Sequence, residues 1–162
     1  MPTKPVISNN SPLVALWHLD LLPLLRDLYT EIWIPREVEK EFLGIEKEPR
    51  QEALNNAPWI KVVDLTNPGS ASVYDRLDPG EVAVLALASE HDTRFVIIDE
   101  KKARQEARKI GLSFKGVVGV LLEAKENGLI DEIKPLLIAL KENRIRLSSS
   151  LISYALREAG EM

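Results

Sequence analysis

At 162 residues the chain fits one domain, 1–162, long enough to bury about two-thirds of its unfolded surface. It has no cysteine, which excludes disulfides and thiolate zinc sites, and its formal net charge of −4 argues against indiscriminate binding of nucleic acid. The longest apolar stretch, Leu13 to Leu28, is broken by His18, Asp20, Pro23 and Arg26, and the opening MPTKPVIS lacks a secretory apolar core; a soluble, cytoplasmic protein with no membrane span is expected.

A first strand is expected at Val6 to Ser8, then a helix from Ser11-Pro12, with Ser11 able to cap and Pro12 favoured in the first turn. A short helix follows around Leu22 to Leu28, and then a strand over Glu31 to Ile34. Pro35 opens a helix with Val38 and Phe42 on its apolar face; Pro49 to Asn56 reads as a short helix and Trp59 to Val63 as a strand. Asn67-Pro68-Gly69-Ser70 is turn chemistry, so the least ordered loop is expected from Thr66 to Leu77. Asp78-Pro79-Gly80-Glu81 then opens an apolar helix, Val82 to Leu87, before a strand from Phe95 to Ile98. A basic helix follows, closed by Gly111, and a short extended piece from Leu112 to Lys115 leads to a helix from Val117 to Lys125 that stops at Asn127-Gly128. Pro135 lies in the first turns of a helix ending near Asn143, and Ser148 to Ser150 cap a last one. Helices from about residue 130 are expected to cover a face of the core or to dock a partner.

Strands alternating with helices at this spacing predict an α/β fold around a parallel sheet. The carboxyl ends of such a sheet line one crevice, so residues far apart in sequence can meet there. The first strand ends on Asn9 and the fourth on Asp99, while Glu41 and Glu81 sit on the helices between them. Carboxylate and amide oxygens suit a hard cation such as Mg²⁺, and metal-bound water can attack a phosphodiester. The joint placement therefore points to a metal-dependent nuclease.

Taken singly, each residue has a plainer use. Asp99 fits the N-cap of the helix that follows it; Glu81 completes a D-x-x-E capping box with Asp78; Glu41 fits a solvated acidic face with Glu37 and Glu39; Asn9 fits an Asx-turn or a cap. After Asp99, Lys101, Arg104 and Arg108 recur at i, i+3 and i+7, with Ala103, Ala107 and Ile110 as the buried stripe. That basic face fits a phosphate backbone, and fits a solvated helix surface as well. His18 and His91 have no metal-ligand spacing, no Gly-rich phosphate loop is present, and the aromatics form no stacking platform.

The segments VISNNSPLVAL, IWIPREVEKEF, LDPGEVAVLALA, VIIDEKKARQEARKIGL and KGVVGVLLEAKENGLI, in this order over nearly the whole chain, resemble the PIN-domain family, in particular its VapC-like toxin branch. The resemblance implies a three-layer α/β/α fold with a central parallel sheet of four to five strands. It also implies a Mg²⁺- or Mn²⁺-dependent endoribonuclease, an RNA substrate, a small antitoxin protein as partner, and a homodimer. By motif, Asn9, Glu41, Glu81 and Asp99 match the four acidic catalytic and metal-binding positions, and Ser11 the supporting hydroxyl. Asn9 departs from the usual aspartate, and Lys101 stands where some members carry another acid. Fewer ligand charges weaken divalent binding, which favours one metal over two and leaves a catalytically weak or silent binding module as the alternative.

Overall fold

The structure, a computed structural model, describes residues 4–69 and 77–162. Its elements follow in chain order: β1 Val6–Ser8, α1 Asn10–His18, α2 Pro23–Tyr29, β2 Ile32–Ile34, α3 Arg36–Phe42, α4 Lys47–Asn55, β3 Ile60–Val62, α5 Pro79–Glu90, β4 Phe95–Ile97, α6 Lys101–Lys109, β5 Phe114–Lys115, α7 Val117–Glu126, α8 Lys134–Glu142 and α9 Ser149–Glu158. The five strands form one all-parallel sheet in the order β3-β2-β1-β4-β5, flanked by the helices in a three-layer α/β/α arrangement. The inner strands are apolar without alternation because both faces are covered: β1 and β4 are buried at every residue. No helix among the described residues is long and apolar enough to cross a membrane.

This topology decides where a ligand can sit. From β1 the chain winds outward through β2 to β3, then crosses back to place β4 on the other side of β1. The switch of direction therefore lies between β1 and β4, the position where open α/β sheets hold their ligands. Ser8 pairs with Ile97, so the chain leaves both strands side by side, through Asn9 and through Ile98-Asp99.

Local chemistry explains most element ends. Asp78 and Glu81 form the reciprocal capping box that starts α5, the Ser148 hydroxyl accepts from the Leu151 amide at 3.1 Å to start α9, and Gly111 and Gly128 take positive φ after α6 and α7. Other ends differ from expectation. α1 begins at Asn10 with Asn9 as N-cap, so Ser11 is not the cap. α4 starts at Lys47, two residues before Pro49, and α5 continues to Glu90. Ile110 is 43% exposed and ends α6 instead of joining its buried stripe. Of the loop expected to be least ordered, residues 70–76 lie outside the described residues; before them, the Glu90 carboxylate accepts from the Thr66 and Asn67 amides at 2.7 and 2.9 Å.

The C-terminal helices share the core through Leu137, Leu140 and Ala155. Glu161 fastens them: its carboxylate accepts from the Ile133 and Lys134 amides at 2.8 Å each and pairs with Lys125 at 2.9 Å. Burial alone would raise its pKa, but those three donors together hold it below the usual carboxylate range.

Candidate nuclease site

Asn9 ends β1 and begins α1. Its backbone amide donates to the Ile97 carbonyl at 2.9 Å, which ties it to the neighbouring strand. Its side chain makes no cap bond, is almost fully buried, and leaves Oδ1 without a hydrogen-bond partner. A buried acceptor left unpaired costs about 1–3 kcal/mol, so an orphan at a switch point signals a use beyond packing.

Asp99 lies two residues beyond β4. The expected cap role goes to its neighbour, since Glu100 is the N-cap of α6. Asp99 instead reaches across to the start of α7, where its Oδ1 accepts from the Val117 amide at 3.1 Å and lies 3.8 Å from the Arg104 guanidinium. Gly116 makes this possible, because a Cβ there would overlap both Asp99 Oδ1 and the Arg104 terminal nitrogen. Burial raises the Asp99 pKa; the Val117 amide and Arg104 pull it down and Glu100 pushes it up, with a net rise.

Glu81 is buried in the first turn of α5, and its role as a cap is real. Its Oε1 accepts from the Asp78 amide at 3.1 Å while its own amide donates to Asp78 Oδ1 at 2.8 Å. Burial raises its pKa, opposed by the Asp78 amide and reinforced by the charges of Asp78 and Glu100. Glu41, in the last turn of α3, is exposed overall, but its carboxylate lies against the α5 terminus and accepts from the Gly80 amide. A Cβ at Gly80 would overlap Glu41 Oε1, so that glycine is the cradle for the carboxylate. Burial, then Asp78, then Glu81 raise the Glu41 pKa.

These groups share an edge of the sheet without sharing a point. Glu41 is brought to Asp78 and Glu81, Glu81 to Glu100, and Asp99 to Glu100 and Arg104. Among the described residues no three His, Cys, Asp or Glu side chains are grouped as ready-made metal ligands. The donor set nonetheless suits Mg²⁺ or Mn²⁺ chemically: it is all oxygen, each of the three carboxyls titrates above its ordinary value, and Asn9 Oδ1 is free. Mg²⁺ keeps several waters and needs only one or two direct carboxylates, so closely packed ligands are not required.

A cavity of about 840 Å³ opens at this edge, with Asn10, Ser11, Glu41, Asp99 and Arg104 among its lining residues; Asn9 and Glu81 are buried and do not line it. Neither histidine lines it: His18 makes a tilted ring contact with Trp17, and His91 meets Trp33 edge to face. The basic face of α6 is less uniform than its spacing suggests. Lys101 is exposed; Arg104 turns inward, donating from Nε to the Ile98 carbonyl at 2.9 Å, and both Arg104 and Arg108 lie 5.0 Å over the Phe114 ring.

Sequence reasoning missed Gly80 and Gly116, whose signal was a glycine directly beside a candidate acid in DPGE and ahead of a helix in KGVV. It also missed Arg50, which is almost wholly buried, donates to the Phe42 carbonyl at 3.0 Å and lies 4.8 Å over the Trp17 ring. Nothing in the sequence distinguishes that arginine from a surface one.

No curated protein matches the chain. A family model described as a PIN domain matches residues 5–161, almost its full length. With its all-parallel sheet and acid-rich switch point, the chain belongs to the PIN-domain family, whose members are generally nucleases.

Proposed function

We propose that this protein is a Mg²⁺- or Mn²⁺-dependent endoribonuclease of the toxin type, neutralised by a small antitoxin protein and working as a homodimer. The observation that carries the reading is the orphaned, buried Asn9 Oδ1 at the β1/β4 switch, on a sheet edge that also carries three carboxyls whose pKa values are raised. Glu41, Glu81, Asp99 and Asn9 would hold the ion. A bound divalent ion supplies an activated water and charge neutralisation at the phosphate. The chain's own part is positioning: the Gly80 amide aims Glu41, the capping box locks Glu81, and the Val117 amide with Arg104 fixes Asp99. Divalent binding favours the ionised form of carboxyls whose pKa values are raised, so metal affinity should weaken as pH falls toward them. Ser11 supports the site, and Lys101, Arg104 and Arg108 steer the RNA backbone, with Arg104 divided between that task and Asp99.

The test is RNA cleavage over a Mg²⁺ or Mn²⁺ series by the wild type and Asp99→Asn. The reading requires metal-dependent cleavage that the substitution abolishes; equal activity in the two proteins ends it. A second reading, a silent PIN fold that binds RNA or protein, is favoured by the missing charge at Asn9. It requires no cleavage with any divalent ion and no gain from Asn9→Asp.

A further inference from the structure

Four polar or charged residues are buried among the described residues: Ser8, Asn9, Arg50 and Glu81. Asn9 and Glu81 belong to the acid edge, and Ser8 precedes Asn9 and donates to its carbonyl at 2.9 Å. Arg50 is the member of this set with no part in the proposed chemistry, yet it lines the same cavity as Glu41.

A guanidinium is costly to take out of water and needs compensation when buried. The Arg50 side chain is 2% exposed and donates from Nη1 to the Phe42 carbonyl at 3.0 Å. Its charge lies 4.8 Å over the Trp17 ring and 5.2 Å over the Phe42 ring. Nε is buried without a hydrogen bond, and the half-exposed Glu46 carboxylate it pairs with stands 3.8 Å away. The compensation is partial, and two of its parts fall on one residue, Phe42, which directly follows Glu41 at the end of α3.

That end has to be held from outside. The last carbonyls of a helix have no partner within it, and a cation suits them. The Leu43 and Gly44 amides take the Glu39 and Glu41 carbonyls at 3.0 and 3.1 Å, and Arg50, reaching back from α4, takes that of Phe42. From the same turn Glu41 extends to the Gly80 amide, where the fit leaves no room even for a methyl group. A small rotation of the α3 terminus would therefore break that hydrogen bond.

We infer that Arg50 is a positioning residue for Glu41: by clamping the Phe42 carbonyl it fixes the last turn of α3, and through that turn the carboxylate on the Gly80 amide. This role rests on the reading of the acid edge as a metal site, and it adds a residue that touches neither ion nor substrate.

The experiment uses the full chain and two readouts. In chelator, the NMR resonance of the Gly80 amide reports its bond to Glu41 without any metal, and calorimetric titration of Mn²⁺ then reports the ligand set. In Arg50→Met the Gly80 amide proton should move upfield, toward its position in Glu41→Ala, and the Mn²⁺ affinity should fall about tenfold, as when other groups that orient a ligand are lost. Arg50→Lys keeps a donor for the Phe42 carbonyl and should recover part of both. Glu161→Gln loosens the clamp on the C-terminal helices, costs stability elsewhere, and should move neither. Because Arg50 acts through Glu41, adding Arg50→Met to Glu41→Ala should weaken Mn²⁺ binding no further. A Gly80 resonance that stays in place in Arg50→Met, or moves equally in Glu161→Gln, overturns the inference. So do equal Mn²⁺ affinities in the wild type and Arg50→Met, or losses that multiply in the double variant. A wild type that binds no Mn²⁺ removes the metal reading, and the Gly80 resonance in chelator still decides whether Arg50 aims Glu41.

Discussion

Gly80→Ala tests whether the carboxylate positions matter, because it adds one methyl group whose nearest neighbours are all atoms of the Glu41 carboxylate. The methyl would overlap Oε1 and stand 2.9 Å from Cδ, whereas ordinary contacts begin at 3.4 Å. The carboxylate must therefore retreat by about 1 Å and lose its bond from the Gly80 amide. Stability should barely move. Alanine in the first turn of α5 gains about 1 kcal/mol of helix propensity, and the lost hydrogen bond costs about the same, so Tm should stay within about 3 °C. A misplacement of about 1 Å in a positioned group can cost about a hundredfold in rate, and a drop of that order is expected in metal-dependent RNA cleavage. Gly116→Ala, which crowds both Asp99 and Arg104, should behave alike. Gly119→Ala meets only the Lys115 Cβ at 3.7 Å and should keep full activity. Cleavage and thermal melts measured on the same preparations decide the matter. Full activity in Gly80→Ala, or a loss that merely tracks unfolding, would refute the reasoning.

Asn9→Asp places a fourth charge among carboxyls that already resist ionisation; metal-free stability should fall by about 1–3 kcal/mol and Mn²⁺ should restore it, read as a Tm shift with and without the ion. Glu161 has a depressed pKa, so its contribution is complete above the ordinary carboxylate range near about pH 4 and is lost as pH falls through its lower folded value. Glu161→Gln should accordingly cost about 1–2 kcal/mol at neutral pH and show a shallower loss of stability on acidification, in urea titrations at several pH values. Arg50→Met keeps the bulk but leaves the buried Phe42 carbonyl unpaired and removes the cation over Trp17, and should cost about 1–3 kcal/mol in the same assay.

Much of the fold was legible in the sequence because it is written in local chemistry. The DPGE capping box, the glycines after α6 and α7, and Ser148 ahead of α9 each act within a turn of their own position, and each appears where expected. The sheet edge followed from the order of strands and helices, since parallel strands joined by helices must bring their carboxyl ends together. What was not legible acts over distance. Asp99 caps a helix beginning 18 residues later instead of its own, which no local pattern encodes. Arg104 shares a helical face with Lys101 and Arg108, yet the Ile98 carbonyl and Asp99 draw it inward. Gly80 and Gly116 are cradles only because side chains from other elements press against them. The exposed Ile110 shows that helical periodicity loses authority at a terminus, where the chain is already leaving the helix.

Calorimetric titration of Mn²⁺ into the wild type, Glu41→Gln and Asp99→Asn tests most directly whether the acid edge acts as one site. The account predicts saturable binding of one ion by the wild type and at least about tenfold weaker binding in each variant. No saturable binding by the wild type, or the same affinity in all three proteins, would contradict it.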